Sequence, residues 1–121
     1  MEDREQLQRE TLRELISYSD NLIPALELLI EELRGGRKED TDDFLNEVSI
    51  GINWEIEVYN HCVPLINAKT DCINKKAMIQ AVRNLGAAIS SGEREKIADC
   101  LERDFLPFVN NLLLAAKVVL G

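Results

Sequence analysis

Apolar residues recur at three- and four-residue steps almost from end to end, and no stretch alternates with period two for long enough to make a strand. The pattern predicts an all-α chain. A first stripe runs through Leu12, Leu15, Ile16, Leu22, Ile23, Leu26, Leu29, Ile30 and Leu33. It stops at Gly35-Gly36, where glycine supplies the left-handed backbone that closes a helix. A second helix opens around Asp40-Thr41, with Asp42 and Asp43 at the positive end of its dipole. Its stripe is Leu45, Val48, Ile52, Ile56, Tyr59, Val63 and Ile66. A third begins after Thr70 or Asp71 as N-cap and carries Met78, Val82, Leu85 and Ile89 up to the break at Ser90-Ser91-Gly92. The fourth runs from Glu93 through Ile97, Leu101, Phe105, Phe108 and Leu112 onward. Three short connections between four helices predict an antiparallel, up-down-up-down four-helix bundle, a single domain over residues 1–121.

The two halves echo each other. Residues 56 apart match at Ile23/Ile79, Ala25/Ala81, Leu29/Leu85, Gly36/Gly92, Glu39/Glu95, Asp43/Asp99, Leu45/Leu101 and Val63/Val119. The glycine breaks and apolar stripes stay in phase, which supports a duplicated helical hairpin, 15–65 and 71–121, behind a charged helical arm at 1–14. Gly51 aligns with Pro107, and two helix-weakening residues there are expected to bend both descending helices at one level. The stripe keeps phase across Pro24, which predicts a kink, and Pro64 is expected to loosen the end of helix two.

Composition narrows the function classes. In 121 residues there are 14 Lys and Arg against 22 Asp and Glu, a net charge of −8 that repels phosphate backbones and anionic lipid. Nucleic acid and membrane are therefore not expected partners, and six aromatic residues offer little base-stacking surface. The N-terminal residues are charged and mixed in sign, unlike a secretory signal, and the longest apolar run, Leu112–Ala116, is far below a membrane span. Cys62, Cys72 and Cys100 are odd in number and lack C-x-x-C spacing, so free thiols and a cytoplasmic location are expected.

Candidate chemistry is sparse. His61 is the only histidine, and no Glu-x-x-His exists to build a di-iron bundle. A zinc site from His61, Cys62, Cys72 and Asp71 has no established spacing, because adjacent helical residues point about 100° apart. The acidic run at 39–43 lacks the glycine of a calcium loop, and Gly35-Gly36-Arg37-Lys38 follows a helix with no strand, unlike a phosphate loop. No cofactor is expected. A ligand- or metal-binding site, or a small enzyme site, using His61, Cys62 and Glu57 near Pro64 is the alternative reading.

Association leaves a clearer trace. From Leu112 to Leu120 the last helix is apolar all round except Lys117, and a helix of that kind is normally covered on every side. Leu112, Leu113, Val118, Val119 and Leu120 are therefore expected to meet a partner, joined by Leu7 and Leu12 on an N-terminal arm about 20 Å long. Trp54 lies off its helix's stripe and is read as a core flank or as a partner anchor.

Two segments carry a resemblance. Gly51-Ile52-Asn53-Trp54 resembles a Gly-hydrophobic-x-Trp element, and residues 98–107 (ADCLERDFLP) resemble an Ala-Asp-x-Leu-Glu-x-acidic-hydrophobic-x-Pro element. Both are similar to segments of small, uncharacterised, all-helical bacterial proteins, a family defined only as a domain of unknown function, over roughly residues 12–115. Arg103 and Asp104 depart from it, standing where tyrosine and glutamate are expected. The resemblance implies the fold and brings no functional residues. A looser, architectural similarity is to acidic helical-bundle export chaperones. The expected function is a non-enzymatic interaction module, a homodimer or a chaperone-like bundle that takes a client helix.

Overall fold

A computed structural model describes residues 2–35, 38–71 and 73–121. Gly36, part of the expected end of helix one, Arg37 and Cys72 lie outside the described residues. Among the described residues there are four helices: α1 (Glu2–Arg34), α2 (Thr41–Asn67), α3 (Lys75–Ser91) and α4 (residues 94–120). The chain is an all-α four-helix bundle.

Its packing follows from the seven-residue patterns. On α1 the inward positions are Leu12, Leu15, Ser19, Leu22, Leu26, Leu29 and Leu33, and on α2 they are Val48, Ile52, Glu55, Tyr59, Cys62 and Ile66, all buried. Alternating three- and four-residue steps keep one face turned to the core along each helix. Partners of α1 descend along both neighbours as α1 ascends. Gln8 reaches the His61 carbonyl, Ser19 meets Glu55, and Glu32 meets Thr41 on α2. On α4, Arg9 reaches the Val119 carbonyl and Arg34 meets Glu95. The α1–α2 connection closes through Thr41, whose hydroxyl accepts from the Lys38 amide and donates to Glu32.

α3 is the lightly held element. It lies chiefly against α4 and buries only Met78, Ala81, Leu85 and Ala88. The expected stripe included Val82 and Ile89, yet both are exposed. Two alanines in the seam let the helices approach closely enough for the Cys100 thiol to reach the Ala81 carbonyl, at 3.8 Å. The start of α3 also differs from expectation: Asn74, not Thr70 or Asp71, is the N-cap, its side chain accepting from the Ala77 amide at 3.1 Å. Gly92, with φ +71°, ends the helix in the left-handed conformation.

α4 is α-helical over Arg94–Cys100 and Leu106–Leu120, with one π-helical turn at Leu101–Phe105 between them. The Leu106 amide donates to the Leu101 carbonyl, five residues back. Pro107 follows at once. Its ring has no N–H and would crowd the carbonyl four residues back in a regular helix, so the wider turn accommodates it. α2 stays α-helical through Gly51, the position that the 56-residue period aligns with Pro107.

Candidate functional site

The polar layer midway along the α1–α2 seam, Ser19 and Glu55, holds the most unusual chemistry of the fold. Glu55 is fully buried between apolar turns of α2. Its Oε2 accepts from the Ser19 hydroxyl at 2.8 Å, while Oε1 has no hydrogen-bond partner among the described residues. Burial pushes its carboxyl from 4.5 up to about 7, and the Ser19 bond only partly opposes that. One turn before it, Gly51 is packed under Tyr18, whose hydroxyl occupies the space that a β-carbon at Gly51 would need. Tyr18 in turn stands edge-on to Trp54, ring centroids 5.2 Å apart at 71°. The aromatic pair covers the outer side of the layer, and burial first, then the charge of Glu55, raises the Tyr18 phenol above its usual 10.0. Trp54 is half-buried against this layer.

The expected association residues separate into three groups. Leu12, Leu112 and Val119 are buried in the bundle's own core, so they are not available to a partner. The arm is continuous with the rest of α1, and from Gln8 onward it is bonded to α2 and α4. Leu113 and Leu120 are half-buried flanks of α4. Val118 is 53% exposed, and Leu114, one turn earlier on the same face, is 58% exposed. Leu7 is also exposed, on the turns of α1 that Arg9 fastens to the end of α4. A run apolar on every side gave no periodicity to separate Leu113 from Leu114; only the turn of α4 against α1 and α2 does.

A domain of unknown function, DUF8042, matches residues 10–114. The chain belongs to that family. The match spans nearly the segment over which the two sequence elements resemble such a family, and it includes the Ser19–Glu55 layer, all of α2 and α3, and the π turn of α4. No curated protein and no solved structure matches the chain.

In this DUF8042 chain the residues of the alternative site are not gathered. His61 and Glu57 are exposed; among the described residues Glu57 accepts from Asn53, one turn back on its own helix. The Cys62 thiol points inward, 3.7 Å from the Gln8 carbonyl, and burial pushes it up to about 11. Cys100 is likewise a buried free thiol, raised to about 12 by burial and by Asp104. Among the described residues no three of His, Cys, Asp and Glu stand close enough to hold a metal ion. Cys72, the third ligand considered, lies outside the described residues. No helix among them is long and apolar enough to cross a membrane.

Glu55 was the residue that sequence reasoning missed. A signal existed: it stands three residues after Ile52 and four before Tyr59, on the inward line of α2. The neighbouring Ile56 offered an apolar alternative, and it proves half-buried.

Proposed function

We propose that this chain is a non-enzymatic protein–protein interaction module of the cytoplasm, acting as a homodimeric adaptor or chaperone-like bundle. The observation that supports this most is the pair Leu114 and Val118, exposed one turn apart on the last stretch of α4. Exposed leucine and valine side chains scattered singly are ordinary, but an adjacent pair on one face of the helix is the beginning of a contact surface. Leu7 lies on the neighbouring start of α1. Negative charge over the rest of the chain keeps such a surface soluble and favours neutral or basic partners.

Light scattering on a sizing column tests the reading. The wild-type chain is expected at twice 13.7 kDa, and Leu114→Asp/Val118→Asp at the single-chain mass with an unchanged helical signal. A folded double variant that still pairs removes this face from the interaction. A wild-type chain of single mass at every concentration removes the homodimer and leaves a client helix as the partner.

A further inference from the structure

Beyond the α4 face, two surfaces of the same chain complement each other. α3 carries Lys75, Lys76 and Arg83 and no acidic residue, which leaves eleven basic and 22 acidic residues elsewhere, a net −11. None of the three makes an ion pair among the described residues. Beside its buried seam, α3 presents a second apolar line, Ile79, Val82 and Ile89, all exposed, with Gly86 between them. At 100° per residue these four positions fall within about 80° of arc, and the line is about 15 Å long. Gly86 has no reason for being glycine inside this chain, since a β-carbon there meets nothing within 4 Å. Glycine in a helix interior costs about 1 kcal/mol relative to alanine, so the notch calls for a neighbour outside the chain.

The opposing surface is a groove between α1 and α4. It runs from Pro24 to Gly35, about 16 Å, along the outer flank of α1. Leu28, 45% exposed, stands up in the middle of it, and Leu106 lines the α4 side. Its rim is acidic over residues 24–31, with Glu27 and Glu31 on α1, without ion-pair partners among the described residues, and Glu102 on α4, which faces Arg34; Arg34 and Lys38 line the far end. A groove with an apolar floor and an acidic rim selects a helix with an apolar line and basic edges.

We infer that α3 of one copy docks in the α1–α4 groove of a second copy, with Leu28 seated over Gly86 between Val82 and Ile89, and with Lys76 and Arg83 along the Glu27–Glu31 rim. The inference rests on the reading of the chain as an interaction module, and it names both sides of a contact separate from Leu114 and Val118. The two surfaces differ, so a two-fold pair closes only if both contacts form together; otherwise copies add head to tail.

Charge reversal tests it. Light scattering up to about 1 mM, where even weak self-association is visible, is expected to show wild-type mass rising above twice 13.7 kDa, the mass of a pair joined through Leu114 and Val118. Lys76→Glu/Arg83→Glu and Glu27→Lys/Glu31→Lys should each stay at the mass of the pair, without the further rise, and an equimolar mixture of the two should recover wild-type behaviour. Arg4→Glu/Lys69→Glu alters net charge as much as the α3 reversal but lies outside both surfaces, and should associate as wild type. Gly86→Leu should abolish the further rise in mass while the helical signal holds and the melting temperature holds or increases, which separates loss of docking from loss of fold. A wild-type mass that rises no further up to about 1 mM overturns the contact. So do folded charge variants that associate like wild type, or a mixture that does not recover. If the charge variants are indifferent while Leu114→Asp/Val118→Asp dissociates the chain, this contact is wrong and the interaction module stands.

Discussion

Ser19 donates its hydroxyl hydrogen to Oε2 of Glu55 over 2.8 Å, and the bond is the only side-chain hydrogen bond described between the buried mid-sections of α1 and α2. Above and below it the facing positions are leucine, isoleucine, valine and tyrosine. A slip of either helix by one turn would bury the carboxyl opposite an aliphatic side chain with no donor. A polar pair of this kind fixes register at some cost in stability.

That cost depends on pH. The folded chain holds the Glu55 proton up to about 7, whereas the unfolded chain loses it near 4.5. More protons are bound in the folded state across that interval, so stability falls as pH rises from 4.5 to about 7 and levels off above it. The difference is worth about 3 kcal/mol in all. Urea unfolding at pH 5, 6, 7 and 8 should show this slope in the wild type. Glu55→Gln, which resembles the protonated acid, should remove it and be the more stable protein at pH 8. An unaltered slope in the variant would place the titration elsewhere.

Two glycines should respond in opposite senses. Alanine usually strengthens a helix interior by about 1 kcal/mol over glycine, and Gly86→Ala has open space for its methyl group. Gly51→Ala must displace the Tyr18 hydroxyl, and with it the ring that stands against Trp54. A net loss of about 1–2 kcal/mol is expected there, with changed tryptophan fluorescence. Tyr18→Phe in the same chain should recover part of it. If Gly51→Ala is as stabilising as Gly86→Ala, the close packing of Tyr18 on α2 is not a constraint.

Thiol chemistry offers a third check. Cys62 and Cys100 are buried and shifted well above their ordinary value, so neither forms thiolate near neutral pH in the folded chain. In a Cys72→Ser background, a disulfide reagent at pH 8 should label neither until urea unfolds the chain, and then both. Prompt labelling of one would identify a segment that opens locally.

The lightly held α3 depends on its first turn. Asn74→Ala removes the acceptor for the Ala77 amide and should cost about 1 kcal/mol. Because so few α3 side chains are buried, the loss is expected to be local. Hydrogen exchange should quicken across α3 while α1 and α2 keep their protection; uniform quickening would show that α3 unfolds only with the whole bundle.

The helix count, the Gly92 break and much of the α1 stripe were legible in the sequence because each is a local or strictly periodic signal. What periodicity could not resolve were choices between apolar neighbours. Ala81 and Ala88 are inward where Val82 and Ile89 were expected, and Leu112 is inward while Leu114 is not. Such choices are made by the neighbouring helix, whose distance and crossing are not written in the element itself. Glu55 and Ser19 were obscured for the same reason, since a polar residue on the inward line makes sense only once its partner on the other helix is known.

The π turn of α4 has a consequence for comparing members of the family. A π turn closes over five residues, one more than the α turn, so α4 holds one residue more between 101 and 105 than a regular helix of the same rise would. The inward positions record it: Ile97, Leu101 and Phe105 follow in two successive steps of four before the alternation of three and four resumes at Phe108. Family members that lack a proline at the position of Pro107 are expected to be one residue shorter there, and an alignment drawn without that gap would set outward residues against inward ones along half of the helix.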